Sequence, residues 1–273
     1  MTDWKAFEVE SKDHIATVTL TGPGKGNAMG PDFWRELPLI FGELDADPEV
    51  RAIVLTGAGK HFSYGLDLPA MAPTFGALLA DRALAGPRTG FLREVRVMQA
   101  AVTAVADSHK PVIAAVAGWC IGGGLDLIAA ADIRLASADA KFSLREAKVA
   151  IVADIGSLHR LPGIIGEGHL RELAYTGKDI DAARAEKIGL INDVYADREA
   201  TLDAAYALAR EIAANPPLVV QGIKDVLDQP KVGKVADGLR YVSAWNAAFL
   251  PSEDLTEAIQ SVFEKREPRF QGK

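Results

Sequence analysis

Residues 110–154 read KPVIAAVAGWCIGGGLDLIAAADIRLASADAKFSLREAKVAIVAD, and the order of residue types in this stretch decides how the chain folds. Residues 111–117 are an apolar, β-branched run of the length of a buried strand. Gly122, Gly123 and Gly124 follow, and then Leu125, Asp126, Leu127, Ile128 and three alanines, a helix-forming run. A strand that passes through glycines into a helix exposes unpaired backbone N–H groups at the helix start. The helix dipole adds partial positive charge at the same place. That combination suits a developing oxyanion; close contact between strand and helix is the plainer use of the same glycines. Three carboxylates, Asp126, Glu146 and Asp154, lie among apolar or small neighbours. Such surroundings push a carboxyl pKa upward and equip it as an acid or base near neutral pH.

Toward the N-terminus, residues 7–10 and 14–20 alternate apolar and polar side chains, as a strand pair joined by Ser11, Lys12 and Asp13 would. Residues 22–27 (GPGKGN) form a turn-rich loop. A helix starts at Pro31, with Phe33, Trp34, Leu37, Ile40, Phe41 and Leu44 on its apolar face and with Pro38 set to shorten or kink it. Residues 51–57 are a continuous apolar strand, and together with 111–117 they predict β-α-β units in parallel pairing. Residues 58–68 read as a loop, 71–87 as the most mobile segment, and 89–108 as a long amphipathic helix.

Toward the C-terminus, helices are expected at 155–161, 168–176 and 181–187, a short strand at 190–195, and a helix at 198–214 stopped by Asn215, Pro216 and Pro217. Three further helices, 218–227, 235–249 and 253–265, follow with no strand between them, the last capped by Ser252. The expected organisation is an α/β core over residues 1–200 and a helical region over 201–273.

The chain has 273 residues and a net charge of −7. An acidic surface argues against a general nucleic-acid partner, which calls for a basic footprint. The single cysteine, Cys120, excludes an internal disulfide and suits a reducing compartment. No apolar run reaches membrane-spanning length, and the first residues, MTDWKAFEVESKD, carry no apolar leader. A cytoplasmic location and no membrane partner are therefore expected. The five histidines show no metal-ligand spacing, so no metal is expected either.

The runs KPVIAAVAGWCIGGGLDL, DIRLAS and AKFSLREAKVAIVADIGSLHRLP resemble the enoyl-CoA hydratase/isomerase (crotonase) family over about residues 7–270, most closely its dienoyl-CoA isomerases. The resemblance implies an α/β, crotonase-like spiral of β-β-α units. It also implies C-terminal helices that pack on a neighbouring subunit, giving a homotrimer or homohexamer. It makes the N–H groups of Gly123 and Leu66 an oxyanion hole for a thioester carbonyl, and Asp126, Glu146 and Asp154 catalytic. Ala28, Tyr64, Gly65, Leu66, Asp67, Leu68 and Gly123 become substrate contacts.

Two positions depart from the hydratase pattern. Asp126 stands where hydratases carry a glutamate that helps hold water, and Asp154 stands where they usually carry glycine. The departures imply isomerisation of a 3,5-dienoyl-CoA to the 2,4-dienoyl form. No cofactor is implied beyond the coenzyme A of the acyl-CoA substrate. Another acyl-CoA hydratase/isomerase activity, or a non-catalytic acyl-CoA- or RNA-binding role, is the alternative. Plainer roles stand beside the implied ones: a first-turn helix acid for Asp126, a solvated partner of Arg145 or Lys148 for Glu146, and a helix N-cap for Asp154. Lys25 and Lys60 lie in loops that the family uses near the nucleotide, or are simply solvated.

Overall fold

The structure is a computed structural model that describes residues 3–22, 25–76 and 84–271. Strands β1 (Phe7–Lys12) and β2 (Ile15–Leu20) pair antiparallel. Their turn is tighter than the sequence suggested: only Asp13 and His14 lie between the strands, both at positive φ (51° and 66°), as a two-residue hairpin of matching twist requires. Helix α1 (Pro31–Ala46) runs its full 16 residues through Pro38 and leads to β3 (Ala52–Gly57). Helices α2 (Leu68–Gly76) and α3 (Ala85–Ala106) follow. The expected mobile segment at 71–87 thus begins and ends in helix, and its middle lies outside the described residues.

The central stretch supplies β4 (Val112–Val116), β5 (Trp119–Ile121), α4 (Gly123–Ala130), β6 (Ile133–Ser137) and β7 (Lys141–Ser143). A single 3-10 turn (Glu146–Val149), α5 (Ser157–Arg160), a second 3-10 turn (Leu161–Gly163) and α6 (Glu167–Thr176) come next. Then follow β8 (Asp179–Asp181), α7 (Ala182–Lys187), β9 (Asp193–Tyr195), α8 (Arg198–Ala213), α9 (Pro217–Phe249) and α10 (Glu253–Glu264).

Two sheets result. One has the order β1-β2-β3-β4-β6-β9, parallel from β2 onward; the other is β5-β7-β8. Successive turns of chain place one strand in each sheet and then a helix. β4, β5 and α4 make one turn, and β6 and β7 lead into the next. After β3, Ser63 makes an isolated parallel bridge to Cys120 of β5 before α2 begins. The spiral explains why β3 and β4 are apolar at nearly every residue: both faces of the larger sheet are covered. Ile53, Leu55, Val112, Ala114 and Val116 face the main core. Ala52, Val54, Ile113 and Ala115 face a second core under α8, where Ala205 and Ala209 are fully buried. A division at residue 200 therefore falls within a helix that seals the sheet.

Three local expectations change. Residues 190–195 give a strand only at its end, because the N–H groups of Leu190 and Ile191 are already bonded to the carbonyl of Ala185 at the end of α7. The helix expected at 155–161 is α5 alone, one turn long, passing at Leu161 into the 3-10 turn that contains Pro162. Most visibly, the helices expected at 218–227 and 235–249 are one, the 33-residue α9, which continues through Pro230. A proline inside a helix deprives the carbonyl four residues earlier of its donor. Here that residue is Val226, and both it and Pro230 stand on the exposed face of the helix. Pro230→Ala is expected to leave the helix content unchanged and to raise stability by roughly 1–3 kcal/mol in denaturant unfolding followed by circular dichroism. A helix broken at that residue would show no such gain.

Candidate active site

The glycines after β5 work as backbone, not as spacers. Gly122 (φ 53°) anchors through its N–H to the carbonyl of Ser143 (3.0 Å) and turns the chain into α4. Gly123 is then the first helical residue, one of those whose N–H has no partner within the helix. Opposite lies the loop of Tyr64, Gly65 and Leu66. Gly65 is left-handed (φ 79°), and a Cβ there would stand 2.6 Å from the carbonyl oxygen of Ile121 and 3.0 Å from the nitrogen of Gly123. Only glycine lets the two segments come this close.

A parallel bridge between Met29 and Leu66 uses the carbonyl of Gly65 and the N–H of Asp67 (2.8 and 3.1 Å to Met29), so the N–H of Leu66 points away from that bridge. It lies 3.8 Å from where a Cβ on Gly123 would be. Among the described residues neither Leu66 nor Gly123 has a hydrogen-bond acceptor for its N–H.

The loop is held from below. Ser63 Oγ accepts from the Gly65 N–H (3.0 Å) and donates to the Asn27 carbonyl (2.9 Å), while Asn27 Nδ2 reaches the carbonyls of Ala58, His61 and Phe62. Ala28, beside Asn27, is half-buried; the Tyr64 N–H donates to the Gly26 carbonyl, and its ring lies 5.1 Å from that of His61. Asp67 accepts from the Ala70 N–H (3.1 Å) at the start of α2, whose first residue is Leu68.

The three acids converge in the same region. Glu146 opens the first 3-10 turn, with Oε1 3.1 Å from where a Cβ on Gly122 would be; its Oε2 is sealed from solvent and has no hydrogen-bond partner among the described residues. The solvated pair with Arg145 or Lys148 is thus not formed: Arg145 bonds Asp179 instead. Burial first, then the charges of Asp126 and Asp154, push the Glu146 carboxyl up to about 8. Asp154, 8% exposed, is pushed up to about 7 by burial, against the lowering effect of a hydrogen bond from Asn246 Nδ2 to its Oδ2 (2.7 Å). It does not cap α5, whose N-cap is Gly156. The residue that meets the start of α5 is Asp126, whose Oδ1 accepts from the Ser157 N–H (2.5 Å). Asp126 is 1% exposed, and burial raises its pKa against that bond and against the charge of Arg160. Arg160 is itself held by Thr103 Oγ1 (2.9 Å).

Sequence reasoning passed over Asn246, Gln99 and Arg160. A signal existed for the first: Leu239, Val242, Ser243 and Asn246 are on the buried face of α9, and a 1%-exposed amide on such a face has a partner to meet. Gln99 Nε2 donates to the carbonyl of Asp154 (2.7 Å) and to Ser243 Oγ (2.7 Å), tying α3 and α9 to the acid.

The family described as enoyl-CoA hydratase/isomerase matches residues 10–273. A mitochondrial Delta(3,5)-Delta(2,4)-dienoyl-CoA isomerase of Dictyostelium discoideum is 42% identical over 99% of this chain and 92% of its own length. A peroxisomal protein of the same name from Arabidopsis thaliana is 40% identical over 99% of this chain and 98% of its own. The crystal structure of an enoyl-CoA hydratase/isomerase from Mycobacterium paratuberculosis superposes with a TM-score of 0.82, at 29% identity, over 94% of this chain and 98% of that one. The chain belongs to the enoyl-CoA hydratase/isomerase family, and its fold is the crotonase-like spiral. The compartments in the two relatives' names differ from the cytoplasm expected from sequence. Among the described residues no helix is long and apolar enough to cross a membrane.

The raised carboxyls link the site to stability. A carboxyl whose pKa is higher folded than unfolded stabilises the fold fully below about pH 4, and that contribution is lost as the pH rises through the folded value, here 7 to 8. Glu146→Gln and Asp154→Asn remove the group that must ionise. Each is expected to gain stability relative to the parent by about 1 kcal/mol or more between pH 4 and pH 9, measured by thermal unfolding across that range. A difference that does not vary with pH would show that these acids titrate normally.

Proposed function

We propose that this protein isomerises 3,5-dienoyl-CoA thioesters to their 2,4-dienoyl forms. The chain is an isomerase of its family; the dienoyl substrate is the finer reading, supported by the names of its relatives and by an acid at position 154 beside the acid at 146. The thioester carbonyl acidifies the proton on C2. One carboxylate removes that proton, and charge moves onto the carbonyl oxygen, which the N–H groups of Leu66 and Gly123 receive. The resulting dienolate is protonated at C6 by a carboxylic acid. The shuttle needs one acid ionised and the other neutral at the same pH.

The observation that carries the reading is the pair of buried carboxyls raised to about 8 and about 7, close to where such a division of protons exists at neutral pH. Asp126 completes the acidic group and polarises it. Ala28, Tyr64, Gly65, Asp67 and Leu68 would line the path of the substrate. Proton transfer within the dienolate balances without any metal or redox partner, so coenzyme A enters only as part of the substrate. The deciding assay follows the rise of 2,4-dienoyl absorbance from 3,5-dienoyl-CoA beside hydration of crotonyl-CoA; hydration alone would overturn the reading.

We also propose a homotrimer or homohexamer, in the cytoplasm. Tyr241, Trp245 and Phe249 form an aromatic ridge on α9, their rings mutually tilted with centroids 6.4 and 4.6 Å apart, and are 68%, 43% and 62% exposed. Phe263 of α10 is exposed as well. An aromatic ridge of this size is a protein-contact surface. Leu239, Val242 and Leu255, apolar residues of the same two helices, are buried within the subunit. Light scattering at micromolar concentration is expected to give a trimer or a multiple of it; a monomer would refute the assembly.

Asp154→Asn and Glu146→Gln are each expected to lower kcat by at least ~100-fold. The double variant should lose much less than the product of the two, because a shuttle missing either half already fails. Gly123→Val, whose Cβ would meet Met29 Sδ at 2.9 Å, is expected to abolish turnover, whereas Leu66→Ala keeps the backbone donor and most of the rate. Equal losses in two folded variants would argue against the oxyanion hole.

A further inference from the structure

Asn246 reaches the acidic group from α9, far along the chain from all three acids. Its Nδ2 donates to two oxygens, the carbonyl of Val152 (2.8 Å) and Oδ2 of Asp154 (2.7 Å). The orientation of an amide side chain follows from its partners. A backbone carbonyl can only accept, so the group facing Val152 is the NH2 end, and both of its hydrogens are engaged. Oδ2 of Asp154 is therefore obliged to accept. A carboxyl oxygen that accepts from a fixed donor is a poor place for a proton, since O–H and N–H would then meet head to head. Among the described residues no other side chain donates to the Asp154 carboxyl; Gln99 donates to its backbone carbonyl.

We propose that Asn246 is a positioning residue that decides which oxygen of Asp154 carries the mobile proton: Oδ2 stays an acceptor, and Oδ1 gives and takes the proton during turnover. The proposal rests on the isomerase reading above for its catalytic consequence, though not for the proton's placement. In the acid step the Oδ1–H bond breaks, the proton and the dienolate's electron pair form the new C–H bond, and the O–H pair stays on Oδ1, leaving a carboxylate whose new charge faces the Asn246 amide. In the base step the same atoms run in reverse. Asn246 touches neither substrate nor reacting carbon.

The charged and titratable groups around Asp154 are Asp126 on α4 and Glu146 in the 3-10 turn. Arg160 on α5 lies beside Asp126, and His159 of the same helix packs on Gly238 of α9. Against this background Asn246 is the donor that favours the ionised form, so its loss moves the titration of Asp154 upward.

The test uses Asn246→Leu, close in size but without a donor, and Asn246→Asp, nearly isosteric and carrying a like charge. The Asp154 carboxyl is followed by 13C NMR on the free protein, its signal assigned by its absence from Asp154→Asn. The Leu variant is expected to shift that titration upward by about one pH unit or more, and the Asp variant further still. With 3,5-dienoyl-CoA, kcat should fall at least about 10-fold with KM nearly unchanged, and the pH–kcat limb should move with the titration. An unmoved titration in either folded variant overturns the proposal, and so does a fall in kcat that leaves the titration in place, which would mark a merely structural role. If the parent protein fails to turn over 3,5-dienoyl-CoA, the isomerase reading falls, while the titration still decides whether the Asn246 amide holds the Asp154 carboxyl toward its ionised form.

Discussion

Three carboxyl groups share one desolvated region, and much of the surrounding structure answers the repulsion between them. In water each would be ionised; out of water, like charges close together cannot all stay so. The fold meets them unequally. Asp126 has the Ser157 N–H and the nearby cation Arg160. Asp154 has one amide donor from Asn246. Glu146 has no hydrogen-bond partner on Oε2 among the described residues. Burial pushes the Glu146 carboxyl up to about 8 and that of Asp154 up to about 7, and hydrogen-bond donors oppose the rise at Asp126 and Asp154.

A second constraint is backbone proximity. Two unpaired N–H groups can face one oxygen only if two separate loops nearly touch, and Gly65 against Gly123 makes that approach sterically possible. The loop carrying Leu66 is fixed by Ser63 and Asn27, whose side chains bond backbone on both sides of it. Preorganised donors of this kind need no rearrangement when charge develops. Glu146 Oε1 lies close to Gly122, so the glycine junction adjoins one of the acids as well as carrying the Gly123 N–H.

Helix α9 serves two surfaces. Its buried face, with Ser243 and Asn246, engages Gln99 and Asp154; its outer face carries the ridge of Tyr241, Trp245 and Phe249. The Asn246 bond to Asp154 links the helical C-terminal region to the α/β core at the acid itself.

Most of the fold was legible in the chain because its strongest signals are local. Continuous apolar runs at β3 and β4 indicated a sheet covered on both sides, and proline, glycine and aspartate marked most helix ends. The glycine-helix junction and the three acids were also visible, since unusual residue types stood in apolar surroundings. Strands β5, β7 and β8 were not, being three residues each, too short for any periodicity. The two helices expected at 218–227 and 235–249 proved to be one, α9, with Pro230 inside it. The sequence by itself determined which groups could do acid–base chemistry and where a helix would present bare N–H groups. Tertiary structure alone decided that Asp126, not Asp154, meets the start of α5, that Glu146 turns inward, and that Asn246 reaches Asp154 across 92 residues of chain. The physical reason is that pKa and hydrogen bonding depend on what lies within a few ångströms in space, and spacing along the chain does not encode that for groups on different elements.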